Sequence, residues 1–142
     1  MASINTGRVV VGGLVGGVVA NACDILWSMT VMKDDMATMA QKFGVDPAAA
    51  QSMSAVAPWI VVDFVMGILI VFTYAAMRPR FGPGPKTAVI AGVTLYLAVT
   101  AVLYGFTSMG MMSMGAFGRG SATALVSTIL GALAGAAVYK EA

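Results

Sequence analysis

From Thr6 onward the chain falls into four long apolar stretches, separated by segments where charges, prolines and glycines gather. A helix that crosses a bilayer needs about 20 mainly apolar residues. The stretches at about 6–32, 58–77, 87–106 and 121–139 meet that length and predict four membrane-spanning helices. Residues at about 33–57 carry a different pattern and predict a small external helical cap. The expectation is an all-α integral membrane four-helix bundle, a single domain over residues 1–142. Only three residues follow the fourth stretch, so no soluble domain is expected after it.

The polar segments sharpen the element boundaries. "RPRFGPGPKT" places a proline after each of Arg78, Gly82 and Gly84. Residues before proline avoid the helical region, so the second helix is expected to stop near Met77 or Arg78, with Pro85 in the first turn of the third. This basic hairpin reads either as a stiff topological element or as a docking site for a partner or anionic headgroups. In the cap, "KDDMATMAQKF" reads as a continuation of the first helix, and Gly44 suits its C-cap. Asp46 and Pro47 read as N-cap and first-turn proline of a short helix, "PAAAQSMSAVA", that leads to Pro58. Trp27 and Trp59 flank this region where an aromatic belt is expected.

Composition removes several classes of function. Apolar residues make up 59% of the chain and charged residues only 10%, against about 25% charged in soluble domains. The net charge of +2 is too small and dispersed for a nucleic-acid partner. Cys23 is the lone cysteine and there is no histidine, so a disulfide framework, a zinc cluster and the commonest general base are all missing. No cofactor and no enzymatic activity are expected. "ANAC", Ala20 to Cys23, superficially suits a lipoprotein cleavage site, but Asn21 is wrong there and the apolar run continues through Ile25, Leu26 and Trp27. The first stretch therefore reads as a retained helix. Arg8, Arg78, Arg80, Lys86 and Lys140 fall on one side of the four helices, and Lys33, Lys42 and Arg119 on the other. That bias predicts two cytoplasmic termini.

The chemistry lies on the helix faces. Gly13, Gly17, Asn21, Asp24 and Ser28 recur at spacings of three and four, with Gly12 and Gly16 beside them. Together with Gly131 and Gly135 on the fourth helix, these are candidate close-packing positions. Asp24 and Asp63 are acids inside apolar stretches, at similar depth on consecutive antiparallel helices. With Asn21, Thr100 and Tyr104 they form a candidate polar centre in the outer half of the bundle. Two close carboxylates in low dielectric do not both ionise easily, which suits proton or cation coupling. The alternative is a structural network, with Asn21, Thr100 or Tyr104 donating or Arg119 reaching inward. Met109, Met111, Met112 and Met114 crowd the last connection. Thioethers suit Cu(I), but methionine also packs adaptably against partner proteins.

"YAAMRPRFGPGPKTAVIAG", Tyr74 to Gly92, and the opening "INTGRVVVGGLVGG" resemble a family of small bacterial membrane proteins without assigned activity. The resemblance implies four helices and a bacterial inner membrane, and carries over no functional residue. The first expectation for function is a structural or accessory subunit of a larger membrane assembly, in contact with lipid and with other subunits or copies of itself. The alternative is a small homo-oligomeric transporter coupled to protons or cations through Asp24 and Asp63.

Overall fold

The computed structural model describes residues 3–140. Six helices follow one another: α1 (Thr6–Met29), α2 (Lys33–Lys42), α3 (Pro47–Ala50), α4 (Met53–Phe81), α5 (Pro85–Ser108) and α6 (Met114–Val138). No strand occurs among the described residues. Four spans are long and apolar enough to cross a bilayer: α1, the α3–α4 region taken together (Ala48–Phe81), α5 and α6. The chain is an all-α, multi-pass membrane protein.

α1 is the centre of the bundle, with α4 on one side and α6 on the other, while α5 packs on α6 and α4. Both close contacts of α1 are made by glycine. A Cβ on Gly12 would stand 2.7 Å from the Gly135 carbonyl oxygen, and one on Gly16 2.7 Å from that of Gly131. Turned toward α4, a Cβ on Gly13 would stand 2.4 Å from Ile68 Cα, and one on Gly17 2.9 Å from Phe64 Cα. A Cβ on Gly67 of α4 would stand just as close, 2.4 Å, to the Gly13 carbonyl oxygen. Adjacent glycine pairs thus serve two different neighbours, because residues one apart on a helix point about 100° apart. Leu14, Val15 and Val18 lie on the exposed side.

The termini of the bundle share one end with the α4–α5 hairpin. Asn5 caps α1 by accepting from Arg8 N–H, and its own N–H donates to the Tyr139 hydroxyl. Tyr139 meets Tyr74 edge-on with centroids 6.0 Å apart, and the Arg78 guanidinium lies over both rings. Gly84 N–H donates to the Tyr74 hydroxyl, which pins the hairpin to this aromatic core.

Several boundaries depart from the expectation. α4 starts at Met53 and continues through Pro58 and Pro79 to Phe81. Each proline removes one ladder hydrogen bond, and transmembrane helices tolerate that loss when neighbours pack against them. The stop is set by Gly82, whose φ of +80° breaks the helical backbone. α1 ends at Met29 instead of running into the cap. There the Trp27 carbonyl accepts from both Thr30 and Met32 N–H, and the Ser28 and Thr30 hydroxyls donate back to Ile25 and Leu26 carbonyls. Such back-bonding competes with the ladder and bends helices. α2 is therefore a separate helix. Gly44 ends it with φ +68°, Gly44 N–H donating to Gln41 and Val45 N–H to Ala40. Asp46 caps α3 as expected, by accepting from Ala48 N–H. The expected longer helix is interrupted at Gln51, and Ser52 opens α4. α6 begins at Met114, a turn or two early, because Ser113 caps it through Ala116 N–H.

Candidate functional site

The α1 face that carries Asn21, Asp24, Ile25 and Ser28 meets the α4 face of Val56, Ile60 and Asp63 across a cleft of about 300 Å3. Trp59 and Met36 of α2 complete its walls. Asp24 lies five residues inside the end of α1, about 8 Å along the helix axis. Asn21 is the floor. It is 8% exposed, and its amide nitrogen donates to the Gly17 carbonyl at 2.9 Å and the Ile60 carbonyl at 3.3 Å. One side chain thus stitches α1 to α4 just below the acids.

The two carboxylates have different surroundings. Asp24 accepts from the Ser127 hydroxyl of α6. Ser127, 2% exposed, accepts in turn from Trp27 Nε1 at 3.1 Å, so indole, hydroxyl and carboxylate form a short relay between α1 and α6. Asp63 is half-buried and accepts no hydrogen bond among the described residues. The Asn21 carbonyl oxygen likewise receives none, and Ser28 spends its proton on the Ile25 carbonyl. Asn21, Asp24, Ser28 and Asp63 therefore present acceptors to the cleft.

A second chamber of about 430 Å3 adjoins the first toward the cap and shares Ile25, Ser28, Met36 and Val56 with it. Lys33, Ala50 and Gln51 line its outer part. α2 lies over this junction and is held from beyond it. Asp35 takes two hydrogen bonds from Arg119 of α6, at 2.7 and 2.6 Å, and Lys42 donates to the Gly110 carbonyl in the α5–α6 connection. The Arg119 hydrogen bonds hold the Asp35 carboxyl below the usual carboxylate range.

The structure thus brings Asn21, Asp24 and Asp63 together, and leaves Thr100 and Tyr104 out. Tyr104 is 53% exposed and packs edge-on against Phe117, 5.7 Å between centroids. Thr100 lines no part of the cleft. The cause lies in α5, which buries Ala88, Ala91 and Gly92 near the hairpin while Leu97, Val102 and Leu103 stay exposed. Apart from the buried Thr107, its cap-side half is largely exposed. Arg119 does not reach Asp24 either, because Asp35 engages it first. Ser127 lies one helical turn before Gly131 on α6, and its partnership with Asp24 depends on the register of α1 against α6. Met36 and Trp59 could not be placed without the course of α2. Met109, Met111 and Met114 are exposed and Met112 is half-buried. No cluster of three His, Cys, Asp or Glu side chains suited to a metal occurs among the described residues.

No protein-family model, curated protein or solved structure matches the chain.

Proposed function

We propose that this chain is a small proton- or cation-coupled membrane transporter in which Asp24 and Asp63 are the exchanging groups. One observation carries the reading: Asp63 faces a cleft within a membrane span with no donor to meet its charge. A bare carboxylate at such depth is costly and is met by a proton or a cation. Asp24 shares the cleft, so an incoming cation and a proton compete for the same pair. α2 contributes Lys33 to the outer chamber, and α6 contributes the uncharged Ser127. Water reaches the pair through that outer chamber in this reading.

The setting proposed is a bacterial inner membrane, with the hairpin and both termini cytoplasmic. The excess of basic residues at the hairpin end supports the orientation, and the resemblance of the Tyr74–Gly92 stretch supports the bacterial source. The test is purified protein in liposomes carrying a pH-sensitive dye. Cation-dependent proton movement is expected from wild type, and none from Asp63→Asn or Asp24→Asn that remain folded. Wild-type flux that survives Asp63→Asn unchanged sinks the assignment.

A second reading, an accessory subunit of a larger assembly, is favoured by the cap-side half of α5. Leu103, Tyr104 and Phe106 are exposed there, beside Met109 and Met114. The glycine faces do not support it, since α4 and α6 of the same chain occupy them. Under this reading the liposomes show no flux and further subunits co-purify in gentle detergent.

A further inference from the structure

The polar and apolar atoms of the inner chamber are complementary to one kind of ligand. Its polar groups are the Asp24 and Asp63 carboxylates, the Asn21 carbonyl oxygen and the Ser28 hydroxyl, whose proton is already committed. The Asn21 amide protons are committed as well, to the Gly17 and Ile60 carbonyls. The chamber therefore offers mainly acceptors and negative charge, with the Trp59 indole N–H as an uncommitted donor in its wall. Asn21 is nine-tenths buried, and its unengaged oxygen belongs to a residue that lines the chamber floor. That oxygen is open to the chamber, so an occupant with several N–H groups can serve it as well as the carboxylates.

The rest of the wall is hydrocarbon. Ile25, Val56, Ile60, Met36 and the largely exposed Trp59 line the cleft together with the acids. A hydrated inorganic cation would leave those side chains against water. An indole face attracts an organic cation and also packs against its carbon body. The volume, about 300 Å3, is at the lower end of small-ligand pockets, roughly 300–1,000 Å3.

We infer that the cleft between α1 and α4 binds a primary ammonium carrying a compact hydrocarbon or aromatic body, its N–H groups shared among Asp24, Asp63 and the Asn21 oxygen. This rests on the cation reading above and names the cation. Lys33 in the outer chamber sits on the approach and disfavours a second positive charge, so a monoamine is preferred to a diamine.

The experiment is calorimetric titration of the wild-type protein in nanodiscs of zwitterionic lipid, with empty nanodiscs as the blank. The probes are 2-phenylethylammonium, its N,N,N-trimethyl derivative, neutral 2-phenylethanol and sodium chloride. Saturable binding of 2-phenylethylammonium is expected, at least tenfold tighter than either the trimethyl derivative or the alcohol. Asp63→Asn is expected to weaken it tenfold or more. Trp59→Leu, which leaves both carboxylates in place, is expected to weaken it severalfold and covers the case where Asp63→Asn does not fold. Equal binding of the alcohol or the trimethyl derivative overturns the inference. So does absence of ammonium binding by a protein whose liposomes still move protons with sodium, a result that leaves the coupled-transporter reading standing. Absence of both binding and flux removes the two together.

Discussion

Gly13 and Asn21 show how single residues set this bundle. Without side chains at Gly13 and Gly67, the α1 and α4 backbones approach until only hydrogen atoms separate them, and the gain is dispersion contact in a medium without hydrophobic drive. Asn21 lies two turns further along the same interface and fixes its register by bonding the Ile60 carbonyl. A methyl group at Gly13 has backbone atoms of Ile68 in its way at 2.4 and 2.7 Å, so no rotamer change relieves it. Gly13→Ala is expected to destabilise the fold by about 1–3 kcal/mol, the usual range for overpacking. Gly118 in α6 has nothing within 4 Å of its Cβ position. Gly118→Ala is expected to be neutral or slightly stabilising, since alanine favours helix by up to about 1 kcal/mol. Thermal melts of both variants in detergent test the pair. Equal melting temperatures would falsify the close-approach account.

α2 is tied to the bundle through charged side chains. Its N-terminal half is tied to α6 by Asp35 and Arg119, whose side chains are 13% and 50% exposed, and its C-terminal end by Lys42 to the α5–α6 connection. Met36 lies between these ties and faces both chambers. Since Arg119 lowers the Asp35 pKa, the pair supports docking fully above the unperturbed carboxylate value, about 3.9. That support is lost as pH falls through the lowered value. Ala40 is the buried residue of α2, so a cysteine there reports on docking. In a Cys23→Ala background, labelling of Ala40→Cys is expected to be slow at neutral pH. It should quicken with Asp35→Asn at the same pH, and, read with a pyridyl disulfide that still reacts with thiols in acid, as pH falls through the Asp35 value. Salt should quicken it too, because an exposed pair is screened. A labelling rate indifferent to Asp35→Asn would assign the docking of α2 to its apolar contacts.

At the scale of the whole molecule, the two ends differ in chemistry. The hairpin end carries five basic residues and an aromatic core of Tyr74 and Tyr139 beneath Arg78. At the cap end Arg119 is neutralised by Asp35, so its basic residues exert less pull on orientation than their number suggests. The proposed topology therefore places Gly82 in the cytoplasm and Gly110 outside. Both have open space at their Cβ positions, although their φ values of +80° and +75° make substitution mildly strained. In intact cells, Gly110→Cys is expected to react with an impermeant maleimide, and Gly82→Cys only after the membrane is opened. The reverse pattern would put the carboxylate cleft on the cytoplasmic side.

Apolar run length and composition were enough for the helical class, the four spans and the caps at Gly44 and Asp46, because desolvated backbone and local capping act within one segment. The alternation of glycines with aspartate on the first helix also placed Asn21 and Asp24 on a protein-facing side. What no single segment carries is which neighbour each face meets. Gly12 and Gly13 are adjacent in sequence yet serve different helices, and Asp24 finds its donor in Ser127, about a hundred residues away. Thr100 and Tyr104 had the right spacing and depth for the polar centre, but the small residues Ala88, Ala91 and Gly92 draw mainly the hairpin half of α5 against the bundle. Helix ends behaved similarly. Pro58 and Pro79 signal a break that α4 does not make, since the cost of one lost hydrogen bond is smaller than what packing along both flanks supplies. Local chemistry determined which helices this chain forms; side-chain volume and register between helices, terms shared by two distant segments, decided where its carboxylates meet.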